Sequence, residues 1–182
     1  MPMPRLYPPE RRLDGRLGTT VDFWQWAFSD LRSNNVRGVL AEWIVAQLLG
    51  LSPETRGSWD DFDLILPDPD GRKIEVKASA YVQAWPQKKP SIIQFTGLKG
   101  HRWIDHEQRR HTAEKTYNAD IYIFCVQTME VPESWDAFDL RQWDFYVAPR
   151  SDVAIKGTSS LRLSTVESFA KRISADQLRR AV

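Results

Sequence analysis

Two alternating runs separated by a turn, between Trp59 and Ser79, constrain this chain more than any other stretch. In the first, Phe62, Leu64 and Leu66 alternate with Asp61, Asp63 and Ile65. In the second, Ile74, Val76 and Ala78 alternate with Lys73, Glu75, Lys77 and Ser79. Strand side chains point to opposite faces with period two, so Asp61 shares a face with Asp63, and Glu75 with Lys77. Asp68-Pro69-Asp70-Gly71 joins the runs as a turn, because proline presets φ and glycine takes positive φ without steric cost. A hairpin paired in register brings two carboxylates and a lysine to one patch. That set suits a divalent cation and the chemistry done beside it.

Upstream, Ser33-Asn34-Asn35 offers capping oxygens to a helix that ends at Gly50. Glu42 is the anomaly in this helix. Its helical neighbours three and four positions away are Gly38, Val39, Val45 and Ala46, all small or apolar. A helix apolar nearly all round is buried, and an unpaired carboxylate there costs several kcal/mol or is forced neutral. Glu42 therefore either meets a buried arginine or backbone donor, or faces a metal-bearing cleft. The hairpin downstream favours the cleft.

The remaining chain is expected to complete one domain. Residues 1–18, rich in proline and arginine, read as an irregular N-terminal arm, and 19–182 as a single domain. Thr19 or Thr20 caps a helix running to about Leu31, with Phe23, Trp24, Ala27 and Phe28 on its apolar side. Ser91–Phe95 reads as a strand, residues 105–117 as a helix, and residues 120–127 as a central strand buried on both faces. Residues 131–144 read as a loop with Trp135, Phe138 and Trp143 as lids over core edges. Phe145–Pro149 is a further strand, and Leu161–Leu163 one more or an extended approach. Ser164, with Glu167 three residues on, marks a capping box opening a final helix, or two short ones broken near Ser174.

Charge is ordinary overall and uneven locally. The net charge of +1 decides nothing about nucleic acid. Between Lys88 and Lys115, however, seven basic residues face three acidic ones, with Trp103 and Tyr117 interleaved. Such a run is either a solvated face or a surface that contacts phosphates. Lys88, Lys89, Lys99, Arg102, Arg109 and Arg110 are the candidate contacts.

Several classes are disfavoured. The single cysteine, Cys125, lies in an apolar run and reads as an inert core thiol, with no internal disulfide possible. His101, His106 and His111 are spaced by five and five, which misses the i, i+4 placement of a helical zinc pair. There is no phosphate-binding P-loop and no Gly-x-Ser-x-Gly elbow. No apolar stretch approaches a membrane span, and the N-terminus lacks the apolar core of a secretory signal. A cytoplasmic protein with no membrane partner is the expectation.

The order of helix with buried Glu42, strand with Asp63, and strand ending Glu75-Val76-Lys77 resembles the PD-(D/E)xK nuclease superfamily over about residues 36–127. The proline of that motif is replaced here by Phe62, and Asp61 competes with Asp63 for the aspartate position. The resemblance implies an α/β, restriction-endonuclease-like core: a mixed central β-sheet flanked by α-helices. It implies Mg²⁺-dependent hydrolysis of phosphodiester bonds in nucleic acid, DNA first, with Mn²⁺ able to substitute. Asp63, Glu75, the backbone carbonyl of Val76 and Glu42 would hold the ion, and Lys77 would orient the attacking water. Gln94 is a weaker candidate for the cleft wall. Cutting both strands implies a homodimer. Two blander readings compete: a solvent-facing cross-strand ion network, and a non-catalytic module of the same fold that binds nucleic acid or a protein.

Overall fold

Seven consecutive buried residues, Ile121–Gln127, form the middle strand around which the domain is layered. The computed structural model describes residues 7–51, 60–105 and 110–182. In chain order the helices are α1 (Thr20–Phe28), α2 (Asn34–Leu49), α3 (Arg150–Ala154), α4 (Leu163–Val166) and α5 (Leu178–Ala181). The strands are β1 (Leu64–Ile65), β2 (Lys73–Ala80), β3 (Gln94–Thr96), β4 (Trp103–Asp105), β5 (Arg110–His111), β6 (Ile121–Gln127), β7 (Trp143–Pro149), β8 (Ser160–Arg162) and β9 (Arg172–Ile173).

A five-stranded mixed sheet runs in the order β1-β2-β6-β7-β9. β2 and β6 are parallel, in a register that sets Glu75 beside Tyr122 and Lys77 beside Phe124; the other pairings are antiparallel. The unbroken apolar run of β6 fits a strand covered on both faces. On one face Leu40, Ile44 and Val45 of α2 pack against Ile74, Ile123 and Phe145. On the other, Tyr122, Phe124 and Tyr146 meet Phe95, Leu98 and Leu161, brought in by the β3–β8 ribbon. The domain is thus mixed α/β, its sheet flanked by helices. Among the described residues no helix is long and apolar enough to cross a membrane.

The hairpin at 61–79 forms in shortened form, with Leu64 opposite Ile74 and Ile65 opposite Lys73, while residues 61–63, read as part of the first strand, are a bend. Gly71 sits at φ +64°, the conformation for which glycine is suited. Cys125 is fully buried, and burial, helped by the charge of Asp63, pushes its thiol up, away from reactivity.

Several expectations need correction. The helix expected over 105–117 is instead a β-ribbon: β4 pairs with β5, and Gly100 exchanges backbone bonds with Thr116. Residues 106–109 lie outside the described residues. The Trp103 and His111 rings, cross-strand neighbours, stack with centroids 3.9 Å apart, a long-range pairing that local composition does not encode. The capping box expected at Ser164 is absent. Glu167 instead accepts a hydrogen bond from the Tyr146 hydroxyl at 3.1 Å, and α4 lasts one turn. A capping box does form at Ser174 with Gln177, after β9 has joined the sheet edge. Trp143 is not a lid. It is buried in the core, opening β7, and its indole N–H donates to the Ala137 carbonyl at 3.0 Å.

Capped by a reciprocal Thr19–Asp22 box, α1 forms but ends at Phe28 and contributes no buried residue. Its aromatics pack on one another, Phe23 on Trp24 and Trp24 on Phe28, with centroids 5.1 and 5.3 Å apart. The contrast between the two indoles Trp143 and Trp26 is testable by thermal or denaturant unfolding. Trp143→Ala should lower stability by ~3–5 kcal/mol, whereas Trp26→Ala, 85% exposed, should fall within ~0.5 kcal/mol of the parent. Equal losses at the two positions would contradict the assigned core.

Candidate active site

The site begins with a strand that stops early. β1 contributes only Leu64 and Ile65 to the ladder, so beyond Ile74 the outer edge of β2 has no neighbouring strand. An unpaired strand edge must be satisfied some other way. Here the Asp63 carboxylate takes over: the Asp63 N–H donates to the Ile74 carbonyl, and its Oδ2 accepts the Val76 N–H at 2.7 Å. One side chain thereby ends the ladder and is anchored beside Glu75.

Glu42, 9% exposed on α2, faces the same edge. Asp63 interacts electrostatically with both Glu75 and Glu42. Burial first, then these two charges, pushes its carboxyl up to about 7, against the opposing pull of the Val76 N–H and Lys77. Glu75 is also raised by burial and by Glu42, while its ion pair with Lys77, at 2.5 Å, works the other way. Three carboxylates in mutual electrostatic reach, with one lysine among them, leave a local excess of negative charge in a partly dry place.

Those donors fit a hard divalent cation, which binds carboxylate oxygens and would neutralise the repulsion that lifts Asp63. Among the described residues no group of three His, Cys, Asp or Glu side chains is closed to ligand geometry. Glu75 turns to Lys77, and Asp63 to the backbone of Val76.

The edge of β2 floors a cleft of about 560 Å³ that Glu42, Asp63, Val76, Lys77 and Gln94 help to line. Gln94, a weaker candidate from sequence, lines the wall. A smaller cavity of about 140 Å³ lies beside Asp63 and Glu75, against Tyr122, Asn118 and His101. Asp61 lines this smaller cavity as well, and its Oδ1 accepts the Trp103 N–H at 2.9 Å, which ties β4 to the segment before β1. Asp63 is the aspartate beside Glu75 and Glu42.

The basic residues are not brought together in the same way. Lys88, Lys89, Arg102 and Arg110 are exposed and line neither cavity. Lys99 donates to the Gly157 carbonyl at 2.9 Å and covers the Tyr117 ring, a structural role that occupies its ammonium. Arg109 lies outside the described residues. Sequence reasoning misses Arg37, Asn34, Gln83 and Trp85, all on the cleft wall. A signal exists for Arg37, a second charged residue in the same apolar helix as Glu42.

Comparison with protein-family models, curated proteins and solved structures returns no match.

The raised carboxyl has a direct thermodynamic consequence. Because Asp63 binds its proton more tightly folded than at its ordinary value of 3.8, its stabilising contribution is complete below about 3.8 and is lost as pH rises through about 7. In EDTA, Tm should therefore fall over that window, and Asp63→Asn should flatten the fall. Calorimetry across pH checks this; parallel profiles for the two proteins would contradict the placement of Asp63.

Proposed function

We propose that this chain is a metal-dependent nuclease with a restriction-endonuclease-like core, hydrolysing phosphodiester bonds in DNA. The observation that carries the reading is that Asp63, anchored at the open edge of β2, lies within electrostatic reach of both Glu75 and Glu42 and lines a solvent-accessible cleft with Glu42 and Lys77. The two-faced sheet with a helix carrying one of the acids supports the same conclusion.

The roles follow from the chemistry of each group. Asp63 and Glu75 offer hard oxygen ligands to Mg²⁺ or Mn²⁺, with Glu42 completing the shell directly or through a water. Val76 turns its N–H to Asp63. Within an extended residue the N–H and C=O lie on the same edge, so its carbonyl also faces the cleft side. Bound there, the ion supplies Lewis acidity to a phosphoryl oxygen and lowers the pKa of a coordinated water. Lys77 would orient an attacking water and offset negative charge developing on the phosphoryl oxygens. Release of Glu75 from Lys77 frees both side chains for these roles at once.

A non-catalytic module of the same architecture is favoured by one observation only, the direct Glu75–Lys77 pair, which would persist if no ion ever entered. Activity separates the two. Purified protein with Mg²⁺ should cleave at least one of plasmid, linear duplex, branched or single-stranded DNA, with an RNA strand as a parallel arm. Glu75→Ala and Lys77→Ala should each reduce the rate by about 10²-fold or more. Cleavage undiminished in both variants would sink the site assignment.

A further inference from the structure

Five residues before Glu42 on the same helix, the cleft holds a charge of the opposite sign. Arg37 is 5% exposed and lines the cleft with Asn34, Gly38 and Gln83. Its Nη1 donates to the Arg32 carbonyl at 2.9 Å and to Gln83 Oε1 at 3.2 Å, and its Nη2 donates to Asn34 Oδ1. Its Nε has no hydrogen-bond partner, and Nη2 has one acceptor for two hydrogens.

All three acceptors are neutral. Among the described residues no carboxylate lies within ion-pairing distance of Arg37, and burial pulls the guanidinium below its usual range with no anion to hold it up. A buried charge without a counter-charge is costly unless something else supplies one. Three features say what that is. A guanidinium with spare planar donors is shaped for phosphate. α2 presents its positive end here, with no side-chain cap on Ser33. The cleft also stays open beside Arg37, since a Cβ on Gly38 would meet nothing within 4 Å.

We propose that Arg37 anchors a phosphate of a bound nucleic-acid strand, beside the phosphate engaged at the carboxylate end of the cleft. This rests on the nucleic-acid reading above. Trp85 and Ile92, 52% and 73% exposed on the cleft wall, give the bases of such a strand an apolar platform. The phosphate can be internal to the strand or terminal; Arg37 recognises the same oxygens in both.

The test is fluorescence anisotropy of the full chain in EDTA, over a range of salt, with three labelled single-stranded DNA probes: 5′-phosphorylated, 5′-hydroxyl and circular. Arg37→Met should weaken binding by about tenfold or more, the size of one charge-assisted contact. It should also reduce the slope of log K against log salt by about one contact's worth, ~0.7 for a single strand. A loss confined to the 5′-phosphorylated probe identifies a terminal phosphate, and a loss shared with the circle an internal one; either supports the anchor. Gly38→Asp places a carboxylate beside Arg37 in open space, so it reads the same site should Arg37→Met not fold, and it should weaken binding similarly. Unchanged affinity and salt slope in the folded variants overturn the anchor, while cleavage by the parent in Mg²⁺ leaves the nuclease reading standing. Arg37-dependent binding without any cleavage gives the reverse outcome. A parent protein that binds none of the probes overturns the anchor.

Discussion

The hydrogen bond from the Val76 N–H to the Asp63 carboxylate fixes where this fold can do chemistry. β1 stops after two residues, and Asp63 takes the place that a further strand residue would have held. Were β1 longer, the edge of β2 would be closed by backbone and the cleft would have no floor. Because it is short, Val76, Lys77 and Ser79 border open space while their other edge stays locked to β6. A rigid parallel pair thus presents one accessible edge; Glu75 and Glu42 sit on regular elements, and Asp63 lies one residue before β1.

α2 supplies the second half of the site and explains why its polar residues survive in an apolar helix. Leu40, Ile44, Val45 and Leu49 pack it onto the sheet. Glu42 and Arg37 both line the cleft. One is repelled by neighbouring carboxylates, and the other lacks a counter-charge. On the proposed reading, a cation at one end of the cleft and an anion at the other would answer both charges, which is the charge pattern of a phosphodiester bound with its metal.

Local periodicity makes part of this legible in sequence. The alternation through Phe62–Ile65 and Ile74–Ala78 locates the hairpin, the apolar run locates β6, and the anomaly of Glu42 locates the helix that faces them. What escapes depends on distant partners. Residues 103–116 have no helical stripe, and their ribbon rests on Trp103 meeting His111 and Gly100 meeting Thr116. Trp143 looks peripheral in sequence because its burial is set by β6 and Ala137, not by its neighbours in the chain. An arginine near a helix start ordinarily reaches solvent, so Arg37 draws no notice; here Gln83, forty-six residues away, helps to hold it in. Asp61 likewise is held by a remote group, the Trp103 N–H.

The central claim is that Asp63, Glu75 and Glu42 together hold a divalent cation. Isothermal titration of the full chain with Mn²⁺ at a pH above 7, where Asp63 is ionised, addresses it without any assumption about substrate. One ion bound per chain, with affinity lost in Asp63→Asn and in Glu75→Gln, is the result expected. No Mn²⁺ binding by the parent protein, or binding unchanged in both variants, would contradict it.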